Sequence, residues 1–161
     1  MFSGIIGDLG TVSRIVLQNE GAELTVHSGK SFKEFEIGES IAVNGVCLTV
    51  RDRMENTFTV DLGTETLNRT SFKDIQERAR VNLERSLTPS DKVSGHFVSG
   101  HVDCVGNITS IERTGGEILF RFEHPSEYVP YIIEKGSVAI DGISLTAFSC
   151  VDNEFTVSII P

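Results

Sequence analysis

The chain has 161 residues and a mass of 17.6 kDa, room for one or two domains. Lys and Arg number 14 and Asp and Glu 23, giving a formal charge of −9; this argues against nucleic acid and against anionic membrane surfaces, both of which recruit basic side chains. Three Cys, an odd number, argue against a full disulfide framework, no apolar run nears the ~20 residues of a membrane span, and Met1-Phe2-Ser3-Gly4 does not open like a signal peptide. A reduced, cytoplasmic, acidic globular protein is expected.

Taken in chain order, short β-branched or alternating runs bounded by Gly, Asn and Asp predict strands near 2–16, 23–27, 40–43, 47–50, 57–62 and 80–86. A helical piece is expected around Thr70 to Arg78, with Ser71 as its cap. Further strands are expected near 97–111, 117–123, 137–140, 144–147 and 155–160, with a second helical piece from Ser126 to Glu134. Asn44-Gly45 and Asp141-Gly142 predict tight hairpin turns, because both dipeptides tolerate positive φ.

The chain contains itself twice. Residues 39–50, ESIAVNGVCLTV, recur as GSVAIDGISLTA at 136–147, an offset of 97. Phe58-Thr59-Val60 recurs as Phe155-Thr156-Val157 at the same offset. Ser3-Gly4 recurs as Ser99-Gly100, and Gly10-Thr11-Val12 as Gly106-Asn107-Ile108, at an offset of 96. So long a period fits two similar domains and not a solenoid. The boundary is expected in the polar stretch Leu87 to Lys92, giving domains 1–90 and 91–161. About six short strands per copy predict an all-β fold of two tandem, pseudo-symmetric, six-stranded antiparallel barrels, because closure removes sheet edges. The second copy stops at Pro161, the counterpart of Thr64, so nothing matches residues 65–87 and the second barrel is expected to be incomplete.

Two features carry chemistry. The cluster Ser94-Gly95-His96-Phe97-Val98-Ser99-Gly100-His101-Val102-Asp103 holds two His, which on a strand would face opposite sides. With no CxxC or HxxxH pattern, no metal site is expected. Cys47-Leu48-Thr49 and Ser144-Leu145-Thr146 occupy matching places in the two copies. With Leu48 and Leu145 turned inward, each presents a pair of polar groups on an outer face. Ordinary polar-out alternation accounts for that pattern too, but a free Cys is an unusual choice for an exposed face. Cys104 and Cys150 are expected to be core or bystander residues, and His27 and His124 lie beside turns without a partner pattern. Pattern alone ends at two similar outer-face sites for two copies of one ligand, or for two related ligands.

The segments MFSGIIGDLGTV, NGVCLTV, FTVDLGTETLNRT, GHFVSGHVD and DGISLT, in this order, resemble the riboflavin synthase family of the α-subunit type. The resemblance implies two Greek-key barrels and a C-terminal helix, usually in a homotrimer, with association with lumazine synthase also expected. It implies that two molecules of 6,7-dimethyl-8-ribityllumazine react by transfer of a four-carbon unit, giving riboflavin and 5-amino-6-ribitylaminouracil without metal or redox cofactor. Each barrel then binds one lumazine, and the productive site pairs the first barrel of one subunit with the second barrel of a neighbour. Carried over motif by motif, the resemblance assigns Gly4, Ile5, Ile6, Ser40, Cys47, Leu48 and Thr49 to substrate binding, with Asp61, Leu62, Gly63, Thr64, Glu65 and Thr66 as a second wall. It assigns Gly100, His101 and Val102, then Lys135, Ser144, Leu145 and Thr146, and finally Ile160 and Pro161. Cys47, His101, Ser144 and Thr146 are the expected catalytic residues. The chain departs from the family pattern at Ser94, which replaces a glycine, and in ending at Pro161. The alternative in the same superfamily is a non-catalytic lumazine- or flavin-binding antenna protein. The intact GHFVSGHVD cluster and Ser144-Leu145-Thr146 favour the enzyme.

Overall fold

The computed structural model describes residues 1–29, 31, 32 and 34–160. It divides the chain into two compact units, Met1–Val102 with Ala139–Ile143, and Asp103–Val138 with Ser144–Pro161.

The first unit is a closed six-stranded antiparallel barrel. Its strands are β1 (Asp8–Gln18), β2 (Gly21–His27), β3 (Ser40–Val43), β4 (Val46–Met54), β5 (Thr57–Leu62) and β6 (Arg80–Arg85). They close in the order β1-β2-β5-β4-β3-β6. Alternation decides which side chains fill it. In β5, Phe58, Val60 and Leu62 are buried, while Thr57 and Thr59 are half-buried and Asp61 is exposed. In β4, Val46, Leu48 and Val50 point in, and in β2 Ala22, Leu24 and Val26 do. These pack with Val12, Phe35, Ile41, Val43, Phe72, Val81 and Leu83 into one core. Each fully buried side chain of this size contributes about 1.5–3 kcal/mol relative to exposure.

Both predicted dipeptides form tight turns with two positive φ values, 45° and 79° at Asn44 and Gly45, 46° and 81° at Asp141 and Gly142. The two tips meet glycine to glycine within the first unit. A Cβ on Gly45 would lie 2.6 Å from the Gly142 nitrogen, and one on Gly142 would lie 2.8 Å from the Gly45 nitrogen. Asn82 stitches this junction. Its N–H donates to Asn44 Oδ1 (2.8 Å) and its side-chain amide to the Asp141 carbonyl (3.0 Å).

In the second unit β7 (Asn107–Thr114), β8 (Glu117–Glu123), β11 (Phe148–Val151) and β12 (Glu154–Ile159) form a four-stranded sheet in the order β11-β12-β8-β7. The hairpin β9 (Ser137–Ile140) and β10 (Ile143–Thr146) forms a separate two-stranded sheet, of which Ala139–Ile143 belongs to the first unit. Phe122 stacks on Phe155, and His124, buried, tilts against the same ring. Among the described residues of this unit, Ala147, Phe155 and Val157 are the buried apolar ones, as expected of an open sheet.

Several local expectations need correction. The first strand begins at Asp8, not at residue 2, because Gly4 has φ 77° and breaks the extension. In 97–111 only β7 is a strand; residues 98 and 2 share a single antiparallel bridge, so alternation does not set the directions of His96 and His101. The helix expected at 70–78 is one 3₁₀ turn, Ser71–Asp74, capped by the Thr70 hydroxyl and not by Ser71. It follows an unexpected helix, α1 (Thr64–Arg69). The 126–134 piece is a 3₁₀ helix, Ser126–Tyr131, with Pro130 inside, a residue that cannot donate to a continuing helix.

Candidate functional site

Within the first unit, β3 and β4 set the site. Their register pairs Ser40 with Thr49, Ile41 with Leu48 and Ala42 with Cys47. Leu48 enters the barrel core, so Thr49 is exposed and Cys47 half-buried on the outer face. The Cys47 side chain packs against a small apolar cluster of Phe2, Ala42 and Val98. Phe2 exchanges two backbone hydrogen bonds with Val98, 2.8 and 3.0 Å, and the His96 N–H donates to the Ser3 carbonyl.

The Gly100 carbonyl accepts from the Cys47 N–H at 2.8 Å. Gly100 has φ 82°, and a Cβ there would lie 2.6 Å from Cys47 Cβ and 2.8 Å from the Phe2 ring. Only glycine satisfies both conditions. His101 follows directly and is exposed, its N–H donating to Ser99 Oγ at 3.2 Å. Val102 packs against the barrel core. The fold thus brings Cys47, Gly100 and His101, predicted from separate segments, to one place.

Gly4 is buried, Ile6 half-buried and Ile5 exposed, in the stretch before β1. The second wall is more dispersed. Leu62 fills the core, so like Leu48 it offers an outer-face ligand only backbone. Asp61 is exposed, its carboxylate 2.7 Å from Arg51, which also binds Glu23 at 2.6 Å. Gly63 precedes α1, and Thr64, Glu65 and Thr66 form its first turn.

In the second unit, Ser144, Leu145 and Thr146 lie on β10. Ser144 and Leu145 are half-buried and Thr146 exposed. Lys135 and Gly136 exchange backbone hydrogen bonds with Ala147, 2.8 and 2.9 Å, as Gly38 and Glu39 do with Val50. At this turn the first copy has Gly38 at φ 90°, and the second has Lys135 at φ 62°. A non-glycine residue there carries a cost of about 1–2 kcal/mol, and such strain concentrates at functional positions. The Lys135 ammonium lies 5.2 Å from the centre of the Phe148 ring. Ile160 is exposed, and Pro161 lies outside the described residues.

Burial pushes the Cys104 thiol up, helped by Asp103 and Glu127. Burial also raises the Cys150 thiol, with Glu134 beside it. Both are therefore poorer thiolates than an ordinary Cys. Among the described residues no three His, Cys, Asp or Glu side chains gather as a metal site would require, and no helix is long and apolar enough to cross a membrane.

The lumazine binding domain family matches residues 3–86 and 99–161. Riboflavin synthase of Actinobacillus pleuropneumoniae is 44% identical over the whole chain, which spans 75% of that protein. Riboflavin synthase of Bacillus subtilis is 39% identical with the same coverage. The one from Brucella abortus is 40% identical over 99% of the chain and 82% of its own length. The chain belongs to the riboflavin synthase family. A crystal structure of LumP complexed with riboflavin matches with a TM-score of 0.90 at 21% identity, covering 98% of this chain and 86% of that one; this likeness supports the barrel fold.

One residue beside Cys47 and the Met1–Gly4 segment escapes the sequence reading. Glu84 on β6 is buried, and its carboxylate accepts from the Ser3 N–H and hydroxyl (both 2.7 Å) and from the Gly4 N–H (3.0 Å). Glu84 pairs with Ala42, which pairs with Cys47, so the three stand in one row across β6, β3 and β4. Its strand neighbours reveal only that it points outward. What buries it is the segment from Met1 to Gly4, far away in sequence.

Proposed function

We propose that the chain catalyses the riboflavin synthase reaction. Two molecules of 6,7-dimethyl-8-ribityllumazine are consumed; one gives up four carbons and leaves as 5-amino-6-ribitylaminouracil, and the other becomes riboflavin. The atoms balance between the two lumazines, so the chemistry calls for no external oxidant or reductant. The observation that carries this reading is 39–44% identity to riboflavin synthases along the whole chain.

The lumazine 7-methyl group is acidic because its anion delocalises into the ring. A base removes that proton, and the carbanion attacks the second ring. His101, exposed directly after Gly100, suits the base. Cys47, or a water held by hydroxyl groups, adds transiently to the acceptor ring. Ser144 and Thr146 hydrogen-bond the donor ring or move its proton. The exposed Ile5 edge, Ser40, Thr49 and the 61–66 wall hold one lumazine; Lys135, Leu145 and the 160–161 edge hold the other. Holding two rings face to face supplies much of the rate.

The proposed domains are 1–90 and 91–161; the two family matches on either side of residues 87–98 support a boundary there. We also propose a cytoplasmic homotrimer, in which a neighbour's second barrel completes each site, and association with lumazine synthase. LumP, whose crystal structures hold riboflavin and 6,7-dimethyl-8-ribityllumazine, supplies the second reading, a binding protein without turnover. Purified protein mixed with 6,7-dimethyl-8-ribityllumazine separates the two. One riboflavin per two lumazines consumed supports the enzyme; saturable binding without riboflavin supports the antenna reading.

A further inference from the structure

The path of the chain from Met1 to Gly7 has an irregularity. The Met1 carbonyl accepts from the Leu87 N–H at 2.9 Å, and the Gly7 N–H donates to the Leu83 carbonyl at 2.9 Å. Between these two points the N-terminal segment advances six residues and the segment it runs beside only four, so the longer one bulges at Ser3–Ile6. Amides in such a bulge lose their ladder partners and need others. Glu84 supplies them. Its carboxylate takes three hydrogen bonds from Ser3 and Gly4, and the Ser3 hydroxyl in turn accepts from the Ile5 N–H at 3.3 Å. A charged acceptor makes such bonds about twice as strong as neutral ones.

What this anchor holds bears directly on the site. On one side it fixes the bulge that exposes Ile5. On the other it fixes Phe2, which is fully buried, pairs with Val98 and packs against Cys47. The Phe2 ring also limits where Gly100 can sit. We propose that Glu84 is a positioning residue for the reaction. Its buried carboxylate locks Met1–Gly4, and through Phe2 this sets Gly100 and His101 against Cys47. The proposal rests on the assignment of Cys47 and His101 to the site.

The test uses the full chain with Cys104 and Cys150 replaced by Ser, so that one thiol remains. Glu84→Gln keeps the shape but offers an NH₂ where one oxygen accepted. Ser3→Ala is the milder variant and removes only the hydroxyl bridge. Thiol labelling of Cys47 by an aromatic disulfide, under conditions where circular dichroism is native, reads the positioning without turnover. Labelling should accelerate about threefold in Ser3→Ala and tenfold or more in Glu84→Gln, as Phe2 is released. Turnover should fall in the same order while KM changes less than threefold. Unchanged labelling in both variants overturns the proposal, as does accelerated labelling with turnover retained. If the parent forms no riboflavin, the functional reading fails, and labelling still decides whether Glu84 positions Cys47. Should Glu84→Gln not fold, Ser3→Ala alone carries the comparison.

Discussion

Replacing Gly100 by Ala attacks the contact that joins the two best-placed site segments. The new Cβ would sit 2.6 Å from Cys47 Cβ, 2.8 Å from the Phe2 ring and 3.1 Å from the Cys47 nitrogen, on a backbone at φ 82°. The left-handed backbone costs about 1–2 kcal/mol for Ala. Overlap in a packed place adds about 1–3 kcal/mol. The Phe2 ring has no free surface into which to turn, and Cys47 is held by the β3–β4 ladder. The segment around Gly100 is therefore what moves, breaking the Cys47 N–H to Gly100 carbonyl bond. A local penalty of about 2–5 kcal/mol falls short of, or only just reaches, the ~5–15 kcal/mol that holds a domain folded; the barrel should survive while the segment around Gly100 lifts. At tenfold per 1.4 kcal/mol, opening at the Cys47 amide should increase at least ~30-fold. Native-state hydrogen exchange reads that amide directly. Riboflavin formation should fall by two orders of magnitude or more, because His101 leaves its place. Exchange at Cys47 within threefold of the parent, with turnover retained, would refute the claim that this contact builds the site.

Cys47→Ala and His101→Gln should each lower kcat about 100-fold or more, the usual share of a proton-transfer or nucleophilic group, with lumazine affinity within about threefold; equal losses in both, by steady-state kinetics and fluorescence titration, would mean that they only bind. Lys135→Gly relieves a left-handed backbone but adds freedom to the unfolded chain, two effects of about 1 kcal/mol that nearly cancel. Thermal melting should therefore move by a few degrees at most while KM rises, and a large loss of stability would show the lysine to be structural. Burial pushes the Asp141 carboxyl up, so the folded protein holds that proton more tightly than the unfolded chain does. Stability is then lost as pH rises through the carboxylate range. Asp141→Asn keeps the turn, as Asn44 does in the first copy, and should raise the melting temperature at pH 7 but not at pH 3. An equal effect at both pH values, by calorimetry, would refute the desolvation argument.

The barrel was legible where two local signals agreed. Phe58 to Leu62 alternates without interruption, and both β3 and β5 have the predicted bounds. Asn44-Gly45 demanded a tight turn, and the turn formed as read. The outward pair Cys47 and Thr49 followed from Leu48 turning in. Legibility failed where the chain is shaped by distant partners. Residues 2–7 and 94–102 have β-like composition, yet amides of Phe2, Ser3, Gly7, His96 and Val98 go to Glu84, Leu83 and one another through bonds spanning from 76 positions (Gly7 to Leu83) to 96 (Phe2 to Val98). No window of sequence contains that information. The 3₁₀ turn at Ser71–Asp74 failed for a smaller reason: Thr70 is better placed than Ser71 to cap it, being buried with its hydroxyl aimed at the Phe72 N–H.

The two copies differ in a patterned way. Inward positions keep or exchange apolar side chains: Val43 becomes Ile140, Val46 becomes Ile143, and Leu48 is kept as Leu145. Among outward and turn positions, Ser40/Ser137, Thr49/Thr146 and Gly45/Gly142 are kept, while three change chemistry: Cys47 becomes Ser144, Asn44 becomes Asp141, and Gly38 becomes Lys135 in spite of its left-handed backbone. A fold needs only the first kind of substitution, because core volume and period are what closure depends on. A reaction that takes two identical molecules and treats one as donor and the other as acceptor needs the second kind. Two equal cradles would bind both rings alike and favour neither direction of transfer. On the proposed function, the divergence at Cys47/Ser144 and Gly38/Lys135 is what distinguishes the acceptor's place from the donor's, and Lys135 keeps, at φ 62°, the left-handed backbone that a glycine serves in the first copy.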